Sequence, residues 1–269
     1  NRDQAWEQAL TRTSAERHAA AQYTTTDRLA ARIAVHRFGT QRQPWPEWVA
    51  DRLPLTGGEA VFEAGSGTGA LWSAVDRDRL APRLTLTDAS EAMCDALRRS
   101  VAAPVTVLRC PADAVPLPDG GFDGVVANHM LYHLDQPLAG LREFHRLLRP
   151  GGWLVVTTLG SHSMVDLGAL VVAAGVGRVA PGRYPHFNEV SGLELVSGLF
   201  EQVRLHAYDN VLVVPTVDPV VEYLSTFADT PLTGAETLAL RTAVAAVIDR
   251  NGTFEIKKRA VLITARRPA

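Results

Sequence analysis

The stretch VFEAGSGTGALW (61–72) decides how the rest of the chain is read. An apolar run ends on an acid, Glu63. Three glycines follow at alternate positions, Gly65, Gly67 and Gly69, and then a helix-like restart. A glycine turn between a strand and a helix lets backbone amides approach a nucleotide-like ligand closely. The acid inside such a turn is its unusual feature.

Working outward, strands and helices alternate. RLTLTD (83–88) reads as a second strand, and SEAMCDALRRS behind it as a helix capped by Ser90. VTVLRC, FDGVVANH and GWLVVTTL read as the third, fourth and fifth strands, with PLAGLREFHRLL as a helix stopped by Pro150 and Gly151. This alternation predicts an α/β fold, a doubly wound Rossmann-like parallel sheet covered on both faces. Upstream, residues 1–53 show three- and four-residue apolar spacing and predict a helical N-terminal cap on a domain spanning 54–269. Downstream, cover segments are expected at about 160–200 and 209–252. FEQVRLHAY and FEIKKRAVLITARR are expected to pair antiparallel at one sheet edge.

Bulk properties narrow the function. The 269 residues are 46% hydrophobic and 21% charged, with a net charge of −2. That balance offers no general attraction to nucleic acid or to an anionic membrane. Lys257 and Lys258 are the only lysines; the arginine and alanine usage reads as the coding bias of a GC-rich genome. Cys94 and Cys110 make neither a disulfide framework nor a zinc set, and no compact His/Asp/Glu cluster suggests a metal. No signal-like leader or membrane-length apolar run stands out, so a cytoplasmic protein is expected.

The turn alone leaves two ligands open. Gly65, Gly67 and Ala70 also satisfy the dinucleotide fingerprint, and Asp88, 23 positions after Gly65, sits where an acid would hold ribose hydroxyls. An NAD-dependent oxidoreductase is therefore one reading. Glu63 weighs against it, because a carboxylate at the strand end repels a pyrophosphate and attracts an ammonium and a sulfonium. S-adenosylmethionine carries both, with a ribose and an adenine and no phosphate.

Four segments in order, VFEAGSGTGALW, LTLTDASEAM, PADAVPLPDGGFDGVVANHMLYHL and EFHRLLRPGGWLVVTT, resemble the class I S-adenosylmethionine-dependent methyltransferases. The resemblance is strong over about 59–158 and closest to the ubiquinone/menaquinone-type and natural-product group. It implies that Glu63 holds the methionine amino group and that the backbone of Ala64, Gly65, Gly67 and Gly69 passes under the methionine and ribose. It implies that Asp88 binds the ribose, that Ala89 and Met93 flank the adenine, and that Ala112 and Asp113 meet its edge. Asn128 and His129 would face the sulfonium, and Tyr23 and Arg32 would close over the cofactor. Two positions depart from the pattern. Ser66 replaces a common cysteine, and Pro111 replaces a common acid, which leaves the adenine amino contact to Asp113 or to water.

Methyl transfer needs alignment and exclusion of water, and needs a base only when the nucleophile must lose a proton. His133 is the first candidate base and His129 the second. His186 and Tyr184 could enter from the cover. Tyr223 and Phe227, four apart, share a helix face, and if they line a pocket the substrate is apolar or aromatic. The implied substrate is a small molecule, a secondary metabolite or quinone-like compound. A non-methylating S-adenosylmethionine-binding protein is a further alternative, and methylation of RNA or protein is disfavoured by the charge balance.

Overall fold

The computed structural model describes residues 27–102, 104–181, 186–228 and 230–269. Seven strands form one sheet in the order β3-β2-β1-β4-β5-β7-β6. They are β1 (Ala60–Ala64), β2 (Arg83–Asp88), β3 (Val105–Arg109), β4 (Phe122–Asn128), β5 (Leu148–Leu159), β6 (Glu201–Val214) and β7 (Phe254–Arg266). The first five are parallel, and β7 runs antiparallel between β5 and β6. Strand order reverses between β1 and β4, which opens a crevice at their carboxyl ends.

Side-chain alternation along the strands divides the core into two layers. Val61, Leu84, Leu86, Val126 and Val155 pack on one face with Trp72 and Leu97. Phe62, Ala64, Val125, Ala127 and Leu154 pack on the other with Leu141 and Phe144. Helices therefore cover both faces, as expected of a doubly wound sheet.

The helices are α1 (Asp27–Ala34), α2 (Trp45–Ala50), α3 (Ala70–Ala74), α4 (Arg77–Leu80), α5 (Glu91–Ser100), α6 (Pro137–Leu147), α7 (Val165–Ala173), α8 (Glu189–Ser197), α9 (Val217–Ser225) and α10 (Gly234–Asn251). Ser90 caps α5 by accepting from the Met93 amide, and Asn188 and Thr233 make capping boxes at α8 and α10. None of the described helices is long and apolar enough to cross a membrane.

The antiparallel edge pair extends well beyond FEQVRLHAY, because β6 continues to Val214 and pairs with β7 as far as Phe254. The helical cover on that side accordingly begins at α9 rather than near residue 209.

The segment between α1 and α2 lies across this extension as a strap. Gly39 bridges Leu212, and the Thr40 amide donates to the Val211 carbonyl at 3.0 Å. Buried Asn210 accepts from the amides of Thr40 and Gln41 at 3.0 and 3.1 Å. The Tyr208 hydroxyl donates to the Gln43 carbonyl at 2.8 Å. A Cβ on Gly39 would lie 2.8 Å from Asn210 Nδ2, so a side chain here would displace the Asn210 amide.

Candidate functional site

The crevice, the strap and the cover border one cavity of about 850 Å³. Its floor is the turn after β1. Gly65, Gly67 and Gly69 have φ of 62°, 56° and 80°, the left-handed region that glycine enters without steric cost. The Gly67 amide donates to Asp88 Oδ2 at 3.0 Å, which ties the turn to the end of β2. A Cβ on Gly65 would sit 2.7 Å from Met130 Cβ, so this glycine also lets the loop after β4 close down.

Not every residue of the turn reaches the cavity. Gly65, Ser66, Gly67 and Thr68 line it, whereas Ala64 and Gly69 do not. Ala64 lies in the opposite core layer, and Gly69 accommodates Val101, whose Cγ2 would be 2.4 Å from an added Cβ.

Glu63 shares the sheet face of Val61 and is 1% exposed. Trp72 in α3 donates Nε1–H to its Oε2 at 2.7 Å. Burial pushes the carboxyl up to about 7, with the nearby Asp88 charge adding to the rise and the Trp72 hydrogen bond offsetting part of it. A buried carboxylate with a neutral donor and no salt bridge among the described residues is poised for a cation from the cavity.

Asp88 lies beyond it. Its Oδ1 accepts from the Ser90 amide at 2.9 Å, and its carboxyl is raised mainly by burial. Each oxygen keeps a lone pair for a further donor, which suits a vicinal diol. Ala89, Met93, Cys110, Pro111 and Ala112 continue the wall as a mostly apolar slot; Asp113 is half-buried outside the lining.

On the β4 side, Asn128 Oδ1 accepts from Thr157 Oγ1 at 2.8 Å and from Trp45 Nε1 at 3.3 Å. His129 has a φ of 55°, donates its amide to Thr157 Oγ1 at 2.9 Å, and packs its ring 5.0 Å from that of Trp45. Burial, with smaller repulsion from Lys258 and His133, lowers its imidazole to about 3. His133 also lines the cavity, with its ring 4.6 Å from that of Tyr132.

The far wall comes from the strap, the edge pair and the cover. Arg32 lies over the Phe227 ring at 4.8 Å and donates to the Thr226 carbonyl at 2.9 Å. Tyr223 and Phe227 form an edge-to-face pair at 5.0 Å, and both line the cavity. Lys258 Nζ lies 3.0 Å from His36 Nε2. Of the remaining sequence candidates, His186 is exposed and lines no part of the cavity, while Tyr23 and Tyr184 fall outside the described residues. Trp45, Tyr208, Asn210, His36 and Lys258 are cavity residues that the motifs do not reach.

Comparison with known proteins decides what this cavity belongs to. A methyltransferase-domain family matches residues 62–156. An uncharacterized methyltransferase of Mycobacterium tuberculosis is 30% identical over 156 residues, covering 54% of this chain and 77% of that protein. The chain belongs to the class I S-adenosylmethionine-dependent methyltransferases.

A ubiquinone/menaquinone biosynthesis C-methyltransferase of Coxiella burnetii is 24% identical over 149 residues, 51% of this chain and 55% of that protein. A solved chain from Bacillus halodurans shares the fold, with a TM-score of 0.63 at 16% identity over 84% of this chain and 99% of that one. S-adenosylmethionine is the methyltransferase's cofactor, and the donor set fits it. The buried Glu63 carboxyl, without a salt bridge among the described residues, matches its ammonium, Asp88 its diol, and the slot from Ala89 to Ala112 a flat ring. Among the described residues no group of three His, Cys, Asp or Glu side chains could hold a metal ion.

Proposed function

We propose that this methyltransferase acts on a small, partly aromatic acceptor, a secondary metabolite or quinone-like compound, bound in the same cavity as the cofactor. One observation carries the reading. One continuous cavity joins an acidic floor at Glu63 and Asp88 to an aromatic far wall at Trp45, Tyr208, Tyr223 and Phe227. Such a space has room for a compact molecule beside the cofactor. The two free thiols, Cys94 and Cys110, are buried and accord with a reducing, cytoplasmic setting.

The bound cofactor supplies an electrophilic methyl on a sulfonium. The chain's part is to bind, align and exclude water. Glu63 holds the ammonium, Asp88 the ribose hydroxyls, and the backbone of Ala112 the adenine edge. Asn128, oriented by Thr157 and Trp45, borders the methionyl part. Arg32, fixed to Thr226, closes the roof. His129 is held neutral and is too weak a base to take a proton near neutral pH. His133 remains the better placed imidazole on that side.

Calorimetric titration with S-adenosylhomocysteine, and in parallel with NAD⁺ and NADH, tests the assignment. Binding of the homocysteine nucleoside alone, weakened in Glu63→Ala and Asp88→Ala, supports it. A preference for the dinucleotide overturns it. Turnover is then sought by incubating the enzyme and S-adenosylmethionine with a panel of small phenols, quinols and amines. Cofactor binding without methylation of any of them favours a role other than methyl transfer.

A further inference from the structure

Lys258 lies on β7, outside the residues 62–156 that the family matches. On β7, Phe254, Ile256, Ala260 and Leu262 face one core layer, and Lys258 shares their parity. It is therefore turned inward, opposite Asn210 on β6, while its neighbour Lys257 is exposed beside Asp166. Lys258 is half-buried and lines the cavity.

Among the described residues, the charged and titratable groups that act on it are cationic or neutral. Arg32 approaches from α1, His36 from the strap and His129 from the loop after β4. Arg259, next along β7, is paired with Glu189 and Asp209. Among the described residues no carboxylate pairs with Lys258; the acids of the cavity, Glu63 and Asp88, belong to the cofactor end. Its recorded polar partner is His36 Nε2 at 3.0 Å. An acceptor with its own positive charge would be repelled here, whereas an acidic hydroxyl would be drawn in.

On the footing of the methyl transfer proposed above, we propose that Lys258 is the base and anchor for an acceptor bearing an aryl hydroxyl, with His36 as the residue that positions the amine. The acceptor's O–H bond breaks and an N–H bond forms on Nζ. The electron pair stays on oxygen, which becomes the nucleophile. The ammonium so formed pairs with the oxygen anion. Burial first, and then the charge of Arg32, bring the lysine down to about 7, so a large share is free amine near neutral pH. His36, its imidazole lowered by desolvation and by the Lys258 charge, can accept a hydrogen bond from the amine.

A chromogenic phenol tests this without turnover. 4-Nitrophenol is titrated, in mildly acidic buffer, into the protein saturated with S-adenosylhomocysteine, and the phenolate band is recorded. The band is expected with the unmodified chain and with Lys257→Met, and is expected to vanish in Lys258→Met. Phenol binding should weaken about tenfold or more in Lys258→Met, the loss typical of a charge-assisted hydrogen bond. His36→Ala should reduce the band while His36→Gln, which keeps an acceptor, should restore part of it. Nucleoside binding should be unchanged in all four variants. A phenol that stays neutral when bound, a band that survives in Lys258→Met, or nucleoside binding with no phenol binding overturns the proposal. Failure of the unmodified chain to bind the nucleoside overturns instead the methyltransfer reading on which it rests.

Discussion

Lys258 Nζ and His36 Nε2 lie 3.0 Å apart although 222 residues separate them in the chain. The contact ties the last strand to the N-terminal strap, and it places a desolvated amine on the wall across the cavity from the acidic floor. A charged group drawn partly out of water with no carboxylate partner among the described residues costs stability, so this lysine weakens the empty protein at the site where it serves chemistry.

Lys258→Met should therefore stabilise the empty protein by about 1 kcal/mol or more at neutral pH. The folded-state value, about 7, lies below the ordinary lysine value of 10.5. Between those two the unfolded chain holds the extra proton, so the lysine's cost is full below the lower value and fades as pH rises through the window. Thermal melts of both proteins across that range should converge on the alkaline side. A constant difference, or a less stable variant at neutral pH, would contradict the burial argument.

Glu63 predicts an opposite kind of pH dependence in binding. Its carboxyl, raised to about 7 in the empty site, attracts the cofactor's ammonium only when ionised. S-adenosylhomocysteine should bind more weakly by about tenfold per pH unit below that value and level off above it. Glu63→Gln should flatten the profile. In stability the sign is reversed: the folded state keeps a proton that the unfolded chain releases above its ordinary value of 4.5. Glu63 thus costs the empty protein progressively more as pH rises from there to about 7.

Trp72→Phe removes the indole donor to Glu63 Oε2 while keeping an aromatic ring in the core. The carboxyl should rise further, moving the nucleoside-binding profile to higher pH. The loss of a hydrogen bond to a buried acid should cost about 1–3 kcal/mol in denaturant unfolding at a pH where Glu63 is ionised. Calorimetry over a pH series distinguishes this from a simple packing defect, which would lower affinity without displacing the midpoint.

Gly69→Ala separates structure from ligand contact within the turn. It forces a side chain into φ of 80° and within 2.4 Å of Val101, away from the cavity. Stability should fall by about 1–3 kcal/mol. Nucleoside affinity, measured on the fraction that remains folded, should change less than in Gly67→Ala, whose site lines the cavity.

Asn210→Ala leaves the amides of Thr40 and Gln41 without their side-chain acceptor. Unfolding should become easier by about 1–3 kcal/mol. The strap should exchange its amide hydrogens faster while the β1–β4 core keeps its protection. Unchanged exchange at residues 40–41 would show that the backbone bridge from Gly39 to Leu212 holds the strap by itself.

Much of this architecture was legible locally. The glycine turn, Glu63 at the end of β1, Asp88 at the end of β2 and the apolar residues around Ala112 sit on consecutive strand ends. A parallel sheet brings such ends to one edge whatever the distant chain does. The antiparallel pair of β6 and β7 was also readable, because both show alternation and flank a helical stretch. Its length was not, since β6 runs through DNVLVV to Val214, a stretch placed with the cover when read alone.

The sequence by itself determined the sheet, the grouping of Glu63, the glycine turn and Asp88 at one edge of it, and the family, because those depend on short-range pattern and on strand ends that the fold must align. Tertiary structure alone decided the other end. Arg32, His36 and Trp45 arrive there from the N-terminal segment, Tyr223 and Phe227 from α9, and Asn210 and Lys258 from the edge strands. No spacing relates residues 36 and 258. They meet because the antiparallel register sets Asn210 beside Lys258, and Asn210 in turn holds the strap that carries His36 across the sheet.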